Sequence, residues 1–230
     1  MAQTVGNGML MFPALTFALG TWQVYRWDRK KKILAYREER RVAEPVPLPS
    51  PAELDADALE FRRVTARGQF DHYYEVRVGP KVVEGTAGDF LLTPLLLEDG
   101  RRILVNRGFV PRDVKAGEET EVKRPRGTVD LTGVVRKSEQ KRYFTPDNDP
   151  ARGLWFWMDH AALAAAARGL HYDVRLDATR SSDPRRDEPP VGGQTVYYVP
   201  NNHVTYIATW YGLTLALAAM TLRGRVRLFK

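Results

Sequence analysis

Cysteine is absent from the chain, and its absence removes disulfide staples, thiolate zinc sites, iron–sulfur ligation, covalent c-type haem attachment and thiol-based copper transfer together. Serine is almost as scarce. Its four occurrences, Ser50, Ser138, Ser181 and Ser182, lie in polar or proline-flanked segments, and none sits in a G-x-S-x-G elbow, so a serine hydrolase is not expected. Gly85-Thr86-Ala87-Gly88 lacks the lysine and the spacing of a phosphate-binding loop. Carboxylates are plentiful but form no sequence pattern that separates an acid–base pair from a solvated surface. With no nucleophile pattern, the chain is read as a non-enzyme.

Charge is missing from two long stretches. No charged residue occurs from Met1 to Tyr25, and residues 8–27 have the length of a membrane-spanning helix, followed by the interfacial set Trp22, Arg26 and Trp27. Charge is absent again between Pro189 and Leu222, where residues 203–222 form a second span ending in Arg223, Arg225, Arg227 and Lys230. The mean hydropathy of −0.40 hides both stretches because a polar segment lies between them. The formal net charge of +7 is equally uneven. Arg26–Arg41 holds eight basic and three acidic residues and the tail after Leu222 four more basic ones, an excess larger than the whole net charge. Basic residues gathered at the span ends suit lipid head groups, and the near-neutral remainder does not suit a phosphate-tracking nucleic-acid surface. The C-terminal basic cluster favours termini inside and the intervening segment outside.

Between the spans, a helix is expected from Arg26 to about Ala43, closed by Pro45, Pro47, Pro49 and Pro51. Residues 28–59 thus form a juxtamembrane helix and proline-rich linker, with a short helix over Ala52–Leu59. Residues 60–199 change to short β-branched and aromatic runs: Val64–Phe70, Tyr74–Val78, Phe90–Leu97, Arg101–Val110, Val129–Arg136, Val174–Leu176 and Thr195–Val199. Asp99-Gly100 reads as a hairpin turn, and Pro94 as the mark of an edge strand or a bulge. One helix interrupts, capped by Asp159 and ended by Gly169. The fold class is α+β: two transmembrane helices flanking an antiparallel sheet or small barrel with one or two short helices, and a basic tail over 223–230.

Four histidines remain. His72 and His160 are expected at the surface, and no two histidines have the spacing of a helical metal pair. His203 stands at the mouth of the second span, where an ionisable group is uncommon and often functional. On a helix, His203, Tyr206 and Trp210 share a face. The residues admit two readings: an imidazole that ligates haem iron with aromatics packed on the macrocycle, or an interfacial histidine in an aromatic belt.

Several blocks, taken in order, resemble the Surfeit locus protein 1 family. They are Leu19-Gly20-Thr21-Trp22-Gln23 with Arg26; Glu44-Pro45-Val46-Pro47-Leu48-Pro49; Phe61-Arg62-Arg63-Val64; Gly68-Gln69-Phe70-Asp71-His72; Leu104-Val105-Asn106-Arg107-Gly108-Phe109-Val110-Pro111; Gly192-Gly193-Gln194-Thr195; and Asn201-Asn202-His203 with Tyr206 and Thr209-Trp210-Tyr211-Gly212. The resemblance implies a membrane-anchored assembly factor for cytochrome c oxidase that assists haem a delivery to, or maturation of, the haem-bearing subunit. It implies transient haem a with His203 as iron ligand; on that reading Tyr206, Trp210 and Trp22 would line the haem, and Arg26 would either pair with a propionate or anchor a lipid phosphate. The alternative is a scaffold that stabilises an early oxidase assembly intermediate without cofactor. Partners would be the haem-bearing subunit and other assembly factors, with Arg107, Gly108 and Phe109 read as a contact loop or as a shape-setting turn. The implied location is the mitochondrial inner membrane, domain in the intermembrane space and termini in the matrix, or else a bacterial cytoplasmic membrane with a periplasmic domain. Met1–Tyr25 has no arginine, so no import signal is read there.

Overall fold

The computed structural model describes residues 10–113, 124–179, 189–195 and 202–228, with side chains as far as 223. The chain divides into two compact units, one made of Met1–Glu38 with Tyr197–Lys230 and the other of Glu39–Val196.

The second unit is built on one seven-stranded sheet. Its strands are β1 (Val46–Pro47), β2 (Arg63–Phe70), β3 (Val76–Val83), β4 (Thr86–Leu97), β5 (Arg102–Pro111), β6 (Thr128–Lys137) and β7 (Val174–Ala178), in the order β1-β2-β6-β7-β5-β4-β3, with β2 also paired to β4. Two short helices, α2 (Ala56–Leu59) and α3 (His160–Ala166), accompany it. The first and last helices of the chain are α1 (Met11–Val42) and α4 (His203–Leu228).

Local sequence explains most of these elements. The β4–β5 hairpin turns at Asp99-Gly100, where Gly100 has φ 82° and Leu97 and Arg101 close the ladder. Asp55 and Asp159 cap α2 and α3, their carboxylates accepting from backbone N–H groups of the first turn. Gly169, at φ 89°, ends the α3 segment as expected.

Three expectations need correction. The sheet is mixed, because β1 pairs with β2 and β7 with β5 in parallel. β7 enters the sheet between β6 and β5 after the long excursion that carries α3, and it runs antiparallel to β6, its predecessor in the chain. Pro94 does not mark an edge: β4 pairs with β5 along one side and with β3 and β2 along the other. Pro94 falls between Leu92, the last residue paired to β3, and Leu95, the first paired to β2, so the missing N–H coincides with a change of partner. The run expected over Tyr74–Val78 is instead a 3-10 turn, His72–Tyr74, followed by β3. The strand expected over Thr195–Val199 lies, apart from Thr195, outside the described residues.

Strand periodicity sorts the core. Ile103 and Val105 point to one side of β5, where they pack with Val64, Leu95, Val135, Val174 and Leu176. Leu104 points to the other and packs with Val78, Leu92, Trp155, Met158 and Leu163. β5 is therefore covered on both faces, which explains its unbroken apolar run Ile103–Val105.

Among the described residues, α4 is the one helix long and apolar enough to cross a membrane, over His203–Arg223. α1 covers residues 11–27 of the first span expected over 8–27, but among the described residues it does not have the length and apolarity of a crossing. The uncharged part of α1 that is described, Met11–Tyr25, covers 15 residues, or ~22 Å at 1.5 Å per residue, against ~30 Å of hydrocarbon. It also carries Thr16, Gly20, Thr21 and Gln23. Of the rest of the charge-free run only Leu10 lies within the described residues.

Candidate functional site

Within the first unit, α1 and α4 meet along a ladder of small and polar side chains. The buried residues of α1 are Pro13, Thr16, Gly20 and Gln23, three to four positions apart and so on one helical face. Thr214 Oγ1 donates to Thr16 Oγ1 at 2.8 Å, and Thr16 donates in turn to the Pro13 carbonyl at 3.0 Å. One layer on, the Tyr211 hydroxyl lies 3.2 Å from Thr21 Oγ1, and its ring packs against Phe17 with centroids 5.6 Å apart. Gly20 makes room for that ring: a β-carbon there would stand 2.9 Å from Tyr211 Cε1. Small residues that admit a close neighbour and hydroxyls that bond across the seam are how helices associate where apolar burial gives little drive.

The ladder ends at His203. Its Nδ1 lies 2.6 Å from Oε1 of Gln23, a side chain only 9% exposed. Its Nε2 is buried and has no partner among the described residues. Beside the imidazole is a cavity of about 340 Å³ lined by Trp22, Gln23, Arg26, Lys30, Asn202, His203 and Tyr206. That volume lies within the ~300–1,000 Å³ of small-molecule sites. The Arg26 guanidinium sits 4.9 Å from the Trp22 ring centroid, a cation–π contact that places a positive group beside an apolar wall.

Of the five residues expected to share this site, Trp22, Arg26, His203 and Tyr206 are brought together, and Trp210 is not among the lining residues. Gln23, Lys30 and Asn202 join them unforeseen. For Gln23 a signal existed: an amide in an uncharged helical stretch, three residues after Gly20, needs a partner once buried. The donor set suits a metal macrocycle bearing carboxylates. His203 keeps an unpartnered ring nitrogen of the kind that ligates such a metal, Trp22 and Tyr206 bring aromatic rings to the lining, and Arg26 and Lys30 bring cations that suit carboxylates.

Arg107, Gly108 and Phe109 are neither a loop nor a turn. They lie inside β5, where Arg107 is the extra residue of a bulge opposite the step from Leu91 to Leu92 in β4, with Arg107 7% and Phe109 5% exposed. The segment from Val191 covers them: Phe109 and Val191 exchange backbone hydrogen bonds at 2.9 Å, and Gly108, at φ 135°, is approached so closely by the Val191 carbonyl that a β-carbon would clash. Thr195, two residues past Gly193, donates to Asp177 at 3.1 Å, and Asp177 also accepts from Asn106 and Arg175. Within this chain the three residues are therefore packed in the sheet unit.

His72 and His160, expected at the surface, are both partly buried. His72 bridges the Glu75 carboxylate at 3.2 Å and the Pro125 carbonyl at 3.1 Å. His160 Nε2 donates to the Tyr172 carbonyl at 2.6 Å, and burial pushes its imidazole below the ordinary value.

Comparison with known sequences places this geometry in a family context. A family model described as the SURF1 family matches residues 10–215. The chain is 38% identical over 237 residues to Surfeit locus protein 1 of Rattus norvegicus, covering 95% of this chain and 75% of that protein. It is 38% identical over 239 residues to Surfeit locus protein 1 of Homo sapiens, with 95% and 77% covered. A SURF1-like protein of Monosiga brevicollis is 38% identical over 224 residues, with 92% and 84% covered.

Proposed function

The chain belongs to the SURF1 family, and from that premise we propose that it is a membrane-anchored assembly factor for cytochrome c oxidase that holds haem a transiently and passes it to the haem-bearing subunit. The observation that carries this reading is His203 Nε2, buried, unpartnered and beside a cavity rimmed by Arg26 and Lys30. When bound, haem a would supply an iron that accepts a ring nitrogen. The residues of this chain would do the rest: His203 would offer the nitrogen, Trp22 and Tyr206 would shield the group from water, and Arg26 would pair with a propionate.

No bond in the cofactor need be made or broken for this role. We read the location as the mitochondrial inner membrane, with α4 as one crossing, the charge-free N-terminal run as the other, the sheet unit in the intermembrane space and both termini in the matrix. To test the cofactor claim, the protein is expressed with haem a biosynthesis present and its absorption spectrum recorded after purification. Bound haem a is expected in the wild type and lost in His203→Ala; equal haem in both proteins rejects the claim.

One observation favours a second reading, a scaffold that holds an assembly intermediate through the sheet unit. Tyr143 and Phe144 are each 93% exposed and stack edge to face 5.0 Å apart at the tip of a turn closed by Thr145 N–H donating to the Arg142 carbonyl. Asn148 braces the base of that loop, accepting from the N–H groups of Phe156 and Trp157 and donating to the Trp157 carbonyl. Two exposed aromatics where turns favour polar residues suit a protein contact. Replacing both with serine is expected to leave the fold intact and to abolish co-purification with the haem-bearing subunit; unchanged co-purification removes this reading.

A further inference from the structure

The four histidines differ in one respect: among the described residues, the only buried imidazole nitrogen without a partner belongs to His203. The other nitrogen of the same ring is held at 2.6 Å by a buried side chain of the facing helix. We propose that Gln23 is a positioning residue that fixes the tautomer of His203, its side-chain carbonyl accepting the Nδ1 proton so that Nε2 keeps its lone pair for a ligand. The inference rests on the haem reading for its purpose, while the tautomer it names exists without any ligand.

Three arguments support this direction of the hydrogen bond. A neutral imidazole carries one N–H and one lone pair, and an amide oxygen only accepts, so the contact between Oε1 and Nδ1 requires the proton on Nδ1. The reverse arrangement, with the Gln23 amide donating to Nδ1, would leave an N–H at Nε2, buried with no acceptor; orphaned buried N–H groups are rarer and costlier than an unused lone pair. That arrangement would also place a donor, and not a lone pair, on a ring that shares a cavity lining with the cations Arg26 and Lys30, where a lone pair is the favoured electrostatic partner.

Gln23 is suited to the task by its own setting. It lies on the face of α1 that includes Thr16 and Gly20, so the packing of Gly20 on Tyr211 and the Thr16–Thr214 bond hold the helix that carries it. A metal-binding histidine is ordinarily oriented by a hydrogen bond from its other nitrogen, and loss of that bond typically weakens metal binding ~10- to 100-fold. Gln23 occupies that place through its contact with Nδ1.

The test uses the full chain in detergent, labelled with 15N-histidine and held at a pH where imidazole is neutral, with His203 assigned by its absence from His203→Ala. In the wild type, Nδ1 is expected to give the protonated-nitrogen shift and Nε2 the unprotonated one. Gln23→Leu is expected to move the population towards Nε2–H, and Gln23→Glu, which keeps an acceptor, to preserve the wild-type pattern and to serve if the leucine variant does not fold. A wild-type spectrum with the proton on Nε2, or one unchanged by Gln23→Leu, overturns the inference. Haemin titration then supplies the second readout: Gln23→Leu should bind ~10- to 100-fold more weakly and Gln23→Glu should not. Equal haemin affinity in wild type and Gln23→Leu overturns the positioning role. If the tautomers behave as stated but the wild type takes up no haemin, the haem reading fails and the assignment of the Nδ1 proton stands.

Discussion

Buried polar groups in the two units are used differently. In the sheet unit, Glu75 accepts from Arg107, Arg124 and Thr93 and pairs with His72, and Asp177 accepts from Asn106, Arg175 and Thr195. Each carboxylate has three or more partners, and nothing is left over for a ligand. In the helix pair, Thr16, Thr21, Thr214 and Tyr211 are likewise satisfied across the seam, but His203 uses one ring nitrogen and keeps the other. Trp157 Nε1 and the Tyr172 hydroxyl are also unpartnered in the sheet unit, yet an indole nitrogen is a donor only and Tyr172 is packed in the core. A satisfied polar network specifies packing; a single unsatisfied acceptor beside a cavity specifies binding.

If that contrast is right, the largest effect on stability comes from the sheet unit. Glu75→Ala leaves Arg107, 7% exposed, without its carboxylate, and is expected to cost about 3–5 kcal/mol in denaturant unfolding of the folded protein. Haem uptake per folded molecule should stay unchanged; loss of uptake at equal folding would show that the two units are not functionally separate.

Acid titration sharpens the same point. Burial alone would raise the Glu75 carboxyl, but hydrogen bonds from Arg124 and His72, the charge of Arg107 and a bond from Thr93 hold it below its ordinary 4.5. Its folded value is the lower one, so its contribution is complete above the ordinary value and is lost as pH falls through the folded value. Glu75→Gln is therefore expected to flatten the acid limb of the stability curve below about pH 4.5, with the upper part of the curve parallel to wild type. An acid limb as steep as the wild type's would mean that other carboxylates carry it.

The smallest effect is expected in the helix seam. Thr214→Val removes one hydroxyl bond to Thr16 and should cost only ~0.6 kcal/mol in helix-pair stability measured in detergent. A much larger loss would make the seam, and not the cavity, the determinant of the site.

Much of the sheet was legible because strand signals are local. Alternation, Asp99-Gly100 and the Asp159 cap each act within a few residues, and the corresponding elements formed within a few positions of their expected bounds. The parallel pairings of β1 and β7 were not legible, since partner choice depends on where a returning chain finds a gap in the sheet. Arg107-Gly108-Phe109 misled for a related reason: arginine and glycine inside a run suggest a loop, and only the covering segment at Val191 explains why both are buried. At the site, His203, Trp22, Arg26 and Tyr206 were identified from helical spacing and a resemblance. Gln23 was passed over because its meaning is the bond it makes 180 positions away.

The central claim is that the free nitrogen of His203 is the ligand. Its most direct test is cavity rescue: haemin is titrated into wild type and His203→Ala in detergent, each with and without added imidazole, and the absorption change on nitrogen ligation of the haem is followed. The account predicts that the signal present in the wild type disappears in His203→Ala and returns when imidazole enters the vacated position. A His203→Ala protein that binds haemin with the wild-type spectrum and affinity before imidazole is added would contradict it.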